Sequence, residues 1–158
     1  LAMDEVLQRK LQYVEQQLEQ MALGQASIQT LPERKYIPLG EEATLYQNEI
    51  FYFYPTIAFV QDAPSGQPRI SFGAYLEPSQ SVPVRYLEQV ETLPAMQMLC
   101  AHFQGTYPDA IDFGCQLRLA HPELPLSDDA LHFNIVDQFI ETAQENYITE
   151  IQIPILDA

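Results

Sequence analysis

Lysine and arginine are scarce in this chain, seven against twenty-two aspartates and glutamates, which leaves a formal charge of −15 over 158 residues. Each nucleic-acid phosphate that is neutralised needs a cation, so the chain by itself is excluded as a phosphate-tracking binder. Its acidity confers solubility and would attract a cationic ligand. Cysteine is scarce too. Cys100 and Cys115 are too few for a disulfide framework and lack metal-ligand spacing, so they read as buried thiols in a reducing cytoplasm. His102, His121 and His132 also lack ligand spacing, and the chain has no H-E-x-x-H cluster and no G-x-S-x-G elbow; no metal and no cofactor is expected. No apolar run approaches ~20 residues and no signal-peptide pattern opens the chain, so the expectation is a soluble, cytoplasmic protein without membrane contact.

What is present is enough apolar material, 47% of residues, for one domain with a core plus an appendage. The appendage comes first. Leu7, Leu11, Val14, Leu18 and Met21 follow the 4-3-4-3 rhythm of a heptad seam. Asp4 and Glu5 suit the helix N-terminus and Gly24 its C-terminal cap. Residues 1–24 are therefore expected to form a linker or coiled-coil helix, and 25–158 a separate domain. The seam either packs on that domain or pairs with a second helix.

Beyond Gly24 the signals turn to strands. Thr30-Leu31-Pro32 recurs 62 residues later as Thr92-Leu93-Pro94, and the overlay also sets Ile28 on Val90 and Tyr36 on Met98. Two strand candidates lie between the copies, "EIFYFYPTIAFV" and "PRISFGAYLE", joined by a Pro/Gly-rich turn. The second copy leads into a helical stretch, "YPDAIDFGCQLRLAHPE", and then a strand pair, "DALHFNIVDQF" and "YITEIQIPI". In the first half the place of that helix falls to "GEEATLYQ". The expected fold is α+β: a duplicated β-α-β-β module around a central groove, where concave sites often form.

The last strand poses a question of facing. Successive side chains point to opposite sides, so Glu145, Tyr147 and Thr149 share a face with Ile151 and Ile153. That face is expected to look inward. Glu150 lies on the other and is expected to be a surface or edge charge.

"YPTIAF", "AHFQGTY" and "YITEIQIPI", in this order after a heptad helix, resemble the GyrI-like effector-binding domain of multidrug-sensing MerR-family transcription regulators. The resemblance implies a sensor whose linker helices pair in a homodimer. DNA would be read only by a winged-helix domain absent from this chain. The ligand would be a hydrophobic aromatic, sometimes cationic, small molecule held in an aromatic pocket. Tyr54, Tyr107 and Tyr147 match aromatic pocket positions of those sensors, Phe72 lies near another, and Glu145 matches a pocket acid. The family's buried glutamate on the penultimate strand falls on His132, with Asn134 next on the same face. A histidine there is mostly neutral at pH 7 and cannot balance a buried cation.

Two other readings fit the resemblance. Some GyrI-like proteins are small-molecule hydrolases, and His132 with Glu145 or Tyr147 would be the proton-transfer pair. Other relatives act as acidic proteins that titrate a partner protein, a role in which the linker helix has no part.

Overall fold

The computed structural model describes residues 2–20, 22–40, 54–78, 81–137 and 141–156. Helix α1 spans Ala2–Gln20 and α2 spans Tyr107–Ala120. The strands of the first half are β1 (Ser27–Leu31), β2 (Arg34–Gly40), β3 (Thr56–Gln61) and β4 (Arg69–Leu76). Those of the second are β5 (Glu91–Leu93), β6 (Met96–Gln104), β7 (Ala130–Val136) and β8 (Ile148–Pro154). All eight join one antiparallel sheet in the order β1-β6-β8-β7-β3-β4-β2-β5, curled into a half-barrel. The expected helix at "GEEATLYQ" falls, after Gly40, outside the described residues.

The strand order reads the same from either end when the halves are exchanged, β1 for β5, β2 for β6, and so on. The 62-residue repeat is therefore structural. It extends to the register: Leu31 opposes Met96 in one half and Leu93 opposes Arg34 in the other. Each half donates its Thr-Leu-Pro strand to the edge of its sibling, so neither half closes its sheet alone.

The two faces of the sheet do different work. On one, Leu99, Ala101, Ala130, Ile151 and Ile153 pack against Ala110 and Leu117 of α2. Thr106 starts that helix, its side chain accepting a hydrogen bond from the Asp109 backbone N–H at 3.2 Å, with Pro108 in the first turn. On the other face Ile57, Met98, Cys100, Leu131 and Phe133 cluster. Strand β8 lies between β6 and β7 and is buried on both faces. Glu150, expected at the surface, is 9% exposed and sits between His102 and Phe133.

Helix α1 docks on the domain mainly beside its heptad seam, of which Val14 alone among the described residues is buried. Tyr13 and Val14 pack against Ile135 and Ile148, and Lys10, only 1% exposed, pairs with Asp137 at 3.0 Å. Leu7, Leu11 and Leu18 stay exposed. Gly24, at φ +77°, was expected to cap the helix; its N–H instead bonds to the His102 carbonyl at 2.9 Å, fastening the helix exit to β6. No described helix is long and apolar enough to cross a membrane.

Gly73 of β4 marks the tightest approach on the cavity side. A Cβ there would lie 2.9 Å from Tyr36 Cδ2 and 3.1 Å from Phe59 Cε2, atoms of two rings already packed at 4.9 Å. Gly73→Ala should therefore destabilise the fold by roughly 1–3 kcal/mol, the usual cost of overpacking. Urea denaturation checks this, as a lower midpoint with an unchanged slope.

Candidate functional site

A cavity of about 820 Å³ opens between α1 and the face of the sheet that α2 leaves uncovered. Its floor is built by cross-strand pairing: His102 of β6, Glu150 of β8 and Phe133 of β7 lie side by side, with Gln152 next along β8. Tyr75 and Glu77 come from the end of β4, and Arg34 from the start of β2. Tyr13 and Gln17 of α1 complete the wall. The rim carries Pro32, Val82 and Leu87. The volume suits a drug-sized molecule.

Rings run from the helix to the floor. Tyr13 lies 6.1 Å from Tyr75, and Tyr75 meets Phe133 edge-on at 5.5 Å. Burial, reinforced by Glu150, holds the Tyr13 phenol well above its ordinary pKa, so it stays protonated. A polar chain crosses the same floor. Arg34 Nη1 donates to Gln152 Oε1 at 2.8 Å, and Gln152 Nε2 donates to Glu150 Oε2 at 2.6 Å. His102 Nε2 stands 3.3 Å from the other carboxylate oxygen, within ion-pair distance but without hydrogen-bond geometry.

Burial pushes the Glu150 carboxyl up. The neighbouring His102 and Gln152 and the charge of Arg34 outweigh that, and the net shift is downward. Glu150 is thus a buried anion at neutral pH. Burial raises the Glu77 carboxyl, with Arg9 opposing. Among the described residues no cluster of His, Cys, Asp and Glu could hold a metal ion.

None of the seven residues singled out from the sequence lines this cavity. His132 opposes Ala58 and Ile151 on the helix-packed face, and Asn134 opposes Thr56 and Thr149 there. Burial, then the charge of Arg118, depresses His132 to about 4. Tyr54 and Phe72 belong to a separate cluster with Ile37, Leu39 and Ala74. Tyr107 and Tyr147 do meet, stacked at 4.9 Å and 22°, where the first turn of α2 reaches the start of β8. Glu145 is exposed in the turn Gln144–Asn146.

The difference is one of facing. Glu150, Gln152 and Phe133 are the immediate neighbours of residues that were named, one step along the same strands. Alternation in β8 was read as inside against outside. With both faces buried, it separates a face covered by a helix from a face over a cavity. Arg34 and Tyr13 carried no sequence signal, because only the tertiary fold brings β2 and α1 to the floor strands.

No family model and no curated protein matches the sequence significantly, whereas solved structures match it broadly. The regulator EcmrR in complex with DNA aligns over 98% of this chain and 67% of its own, at 13% identity and TM-score 0.56. SAV2435 bound to tetraphenylphosphonium aligns over 84% of this chain and 94% of its own, at 14% identity and TM-score 0.53. A hydrolase from Listeria innocua aligns over 91% and 98%, at 11% identity and TM-score 0.59. Such likeness establishes the architecture: the chain has the α+β fold expected from its repeat, of the GyrI-like kind that the motif resemblance implied.

Proposed function

We propose that this chain is the small-molecule-sensing part of a MerR-type transcription regulator, with residues 1–24 as linker helix and 25–158 as effector-binding domain. One observation carries the reading: the cavity is walled jointly by the sheet and by α1, through Tyr13 and Gln17. A ligand in contact with both has different free energies in the docked and undocked arrangements of the helix, which is the requirement for a switch. The fold shared with EcmrR in its DNA complex and with ligand-bound SAV2435 supports the reading. Hydrophobic, ring-bearing molecules are the expected ligands, given the Tyr13–Tyr75–Phe133 wall. The exposed Leu7, Leu11 and Leu18 would pair with a second copy in a homodimer. DNA would be contacted by a winged-helix domain outside this chain.

A second reading rests on His102 and Glu150, which face the cavity 3.3 Å apart, so that a small movement on substrate binding would bring them within reach for proton transfer; the Listeria innocua neighbour carries the name hydrolase.

A thermal-shift screen with lipophilic cations, neutral aromatics, aromatic carboxylates and reactive esters separates the two. Ligand at a hundredfold excess over Kd adds about 2.7 kcal/mol of stability, a shift of several degrees for a domain of this size. Stabilisation by compounds that mass spectrometry recovers intact is the expected result. Compounds recovered chemically changed would establish the enzyme, and a library with no stabilising member would remove the ligand-site reading.

A further inference from the structure

The cavity already contains a cation. Arg34 holds its guanidinium carbon 5.2 Å from the centre of the Phe133 ring, the position in which an aromatic wall attracts a cationic ligand. Through Gln152 it also engages Glu150, the buried anion that would otherwise serve as counter-ion. Its second terminal nitrogen points to Met98 Sδ at 3.8 Å, a weak acceptor. The fold does not demand a base here. At the same register of the duplicated half stands Met96, opposing Leu31 as Arg34 opposes Leu93, and Met96 packs as an apolar residue against the same cluster.

The guanidinium is only partly used. Its Nε is buried without a hydrogen-bond partner among the described residues, although a guanidinium presents five donors in a fixed fork. Nη1 and Nη2 each make one bond, to Gln152 and to Met98, so their second N–H groups, on a half-buried side chain that lines the cavity, are open to an acceptor brought by a ligand. We propose that Arg34 sets the ligand class of the cavity: it occupies the seat of a cationic ligand and leaves a donor for aromatic molecules bearing a carboxylate or carbonyl acceptor. Permanent cations are disfavoured because they must displace Arg34 from Phe133 and Gln152 or sit beside its charge. This rests on the reading of the cavity as a ligand site and names the chemistry it selects.

The test is a titration of the full chain with two probes, tetraphenylphosphonium and 2-naphthoate, in the wild type, Arg34→Met and Arg34→Lys. Methionine retains the side-chain bulk, as Met96 does in the other half, without charge; lysine retains the charge without the planar fork. The readout is the ratio of the two dissociation constants. Arg34→Met should shift it by about 100-fold or more toward the cation, and Arg34→Lys should shift it much less. A ratio within threefold of the wild type in a folded Arg34→Met protein would overturn the proposal. So would a shift of equal size in Arg34→Lys. Failure of both probes to bind any of the three proteins would instead overturn the ligand-site reading on which the proposal stands.

Discussion

Asp137→Ala should release α1 from the domain. Lys10 and Asp137 form an ion pair 3.0 Å apart with both side chains almost wholly buried. Removing the carboxylate leaves an ammonium in an environment that solvates it poorly, and breaking such a pair typically costs about 3–5 kcal/mol. The chain has a cheaper response than bearing that cost. Among the described residues α1 also docks through Tyr13 and Val14 against Ile135 and Ile148, and Lys10 can return to water if α1 lets go. The loss is then limited to the docking free energy. Trypsin reports this, because the bonds after Arg9 and Lys10 become accessible once the helix leaves. Cleavage there should accelerate at least tenfold in Asp137→Ala, with the remaining domain intact. The double variant Lys10→Met with Asp137→Leu should restore resistance, since an apolar pair of similar bulk replaces a buried ion pair at little or no cost. Helix α1 is thus held by a contact that contributes little net stability when whole and is costly when one partner is removed.

The second large effect is on pH. His132 is buried among apolar neighbours, and burial together with the charge of Arg118 depresses it to about 4 in the folded chain. Its unfolded value is about 6.5. Between these limits the unfolded state binds more protons than the folded one, so stability rises with pH across that window. Acidification therefore removes stability progressively from pH ~6.5 down to ~4. At 1.36 kcal/mol per pKa unit, the loss is roughly 3 kcal/mol once pH falls below the folded value. Glu150 acts in the same direction at more acid pH, because its folded pKa is lowered below the ordinary carboxylate value. Urea denaturation between pH 4 and 7 should show a steep fall for the wild type. In His132→Leu the slope over the upper part of that window should largely vanish. An unchanged slope would mean that the histidine is solvated or is not the titrating group.

The sequence made most of the architecture legible. The Thr-Leu-Pro repeat located the two halves, and the structure extends it to the pairing of edge strands, Leu31 with Met96 and Leu93 with Arg34. The heptad spacing located α1, and the 107–120 helix was placed within a few residues. The site was much less legible. A strand buried on both faces carries no sign of which face a helix covers, and a single-residue step moves every side chain across the sheet. The face of Tyr147, Thr149, Ile151 and Ile153 was expected to look inward, and there Ile151 and Ile153 are fully buried under α2. Glu150 was expected at the surface or edge because it lies on the opposite face of β8, yet it is bonded by Gln152 and lies beside His102 on the cavity floor. Polar residues opposite a hydrophobic strand face mark either solvent or a site. Only the placement of α2 decides between them.

On the proposed reading the ligand lies on the Glu150 and Phe133 face rather than on the Tyr107 and Tyr147 face. Calorimetric titration with the most strongly stabilising aromatic compound of the screen tests it most directly, in Phe133→Ala and in Tyr147→Ala. Loss of a central ring contact of ~1.4 kcal/mol or more corresponds to at least tenfold weaker binding. That loss is expected for Phe133→Ala, with a dissociation constant within about threefold of the wild type for Tyr147→Ala. Weakened binding in Tyr147→Ala with Phe133→Ala unaffected would contradict it and move the ligand to the side of the sheet that α2 covers.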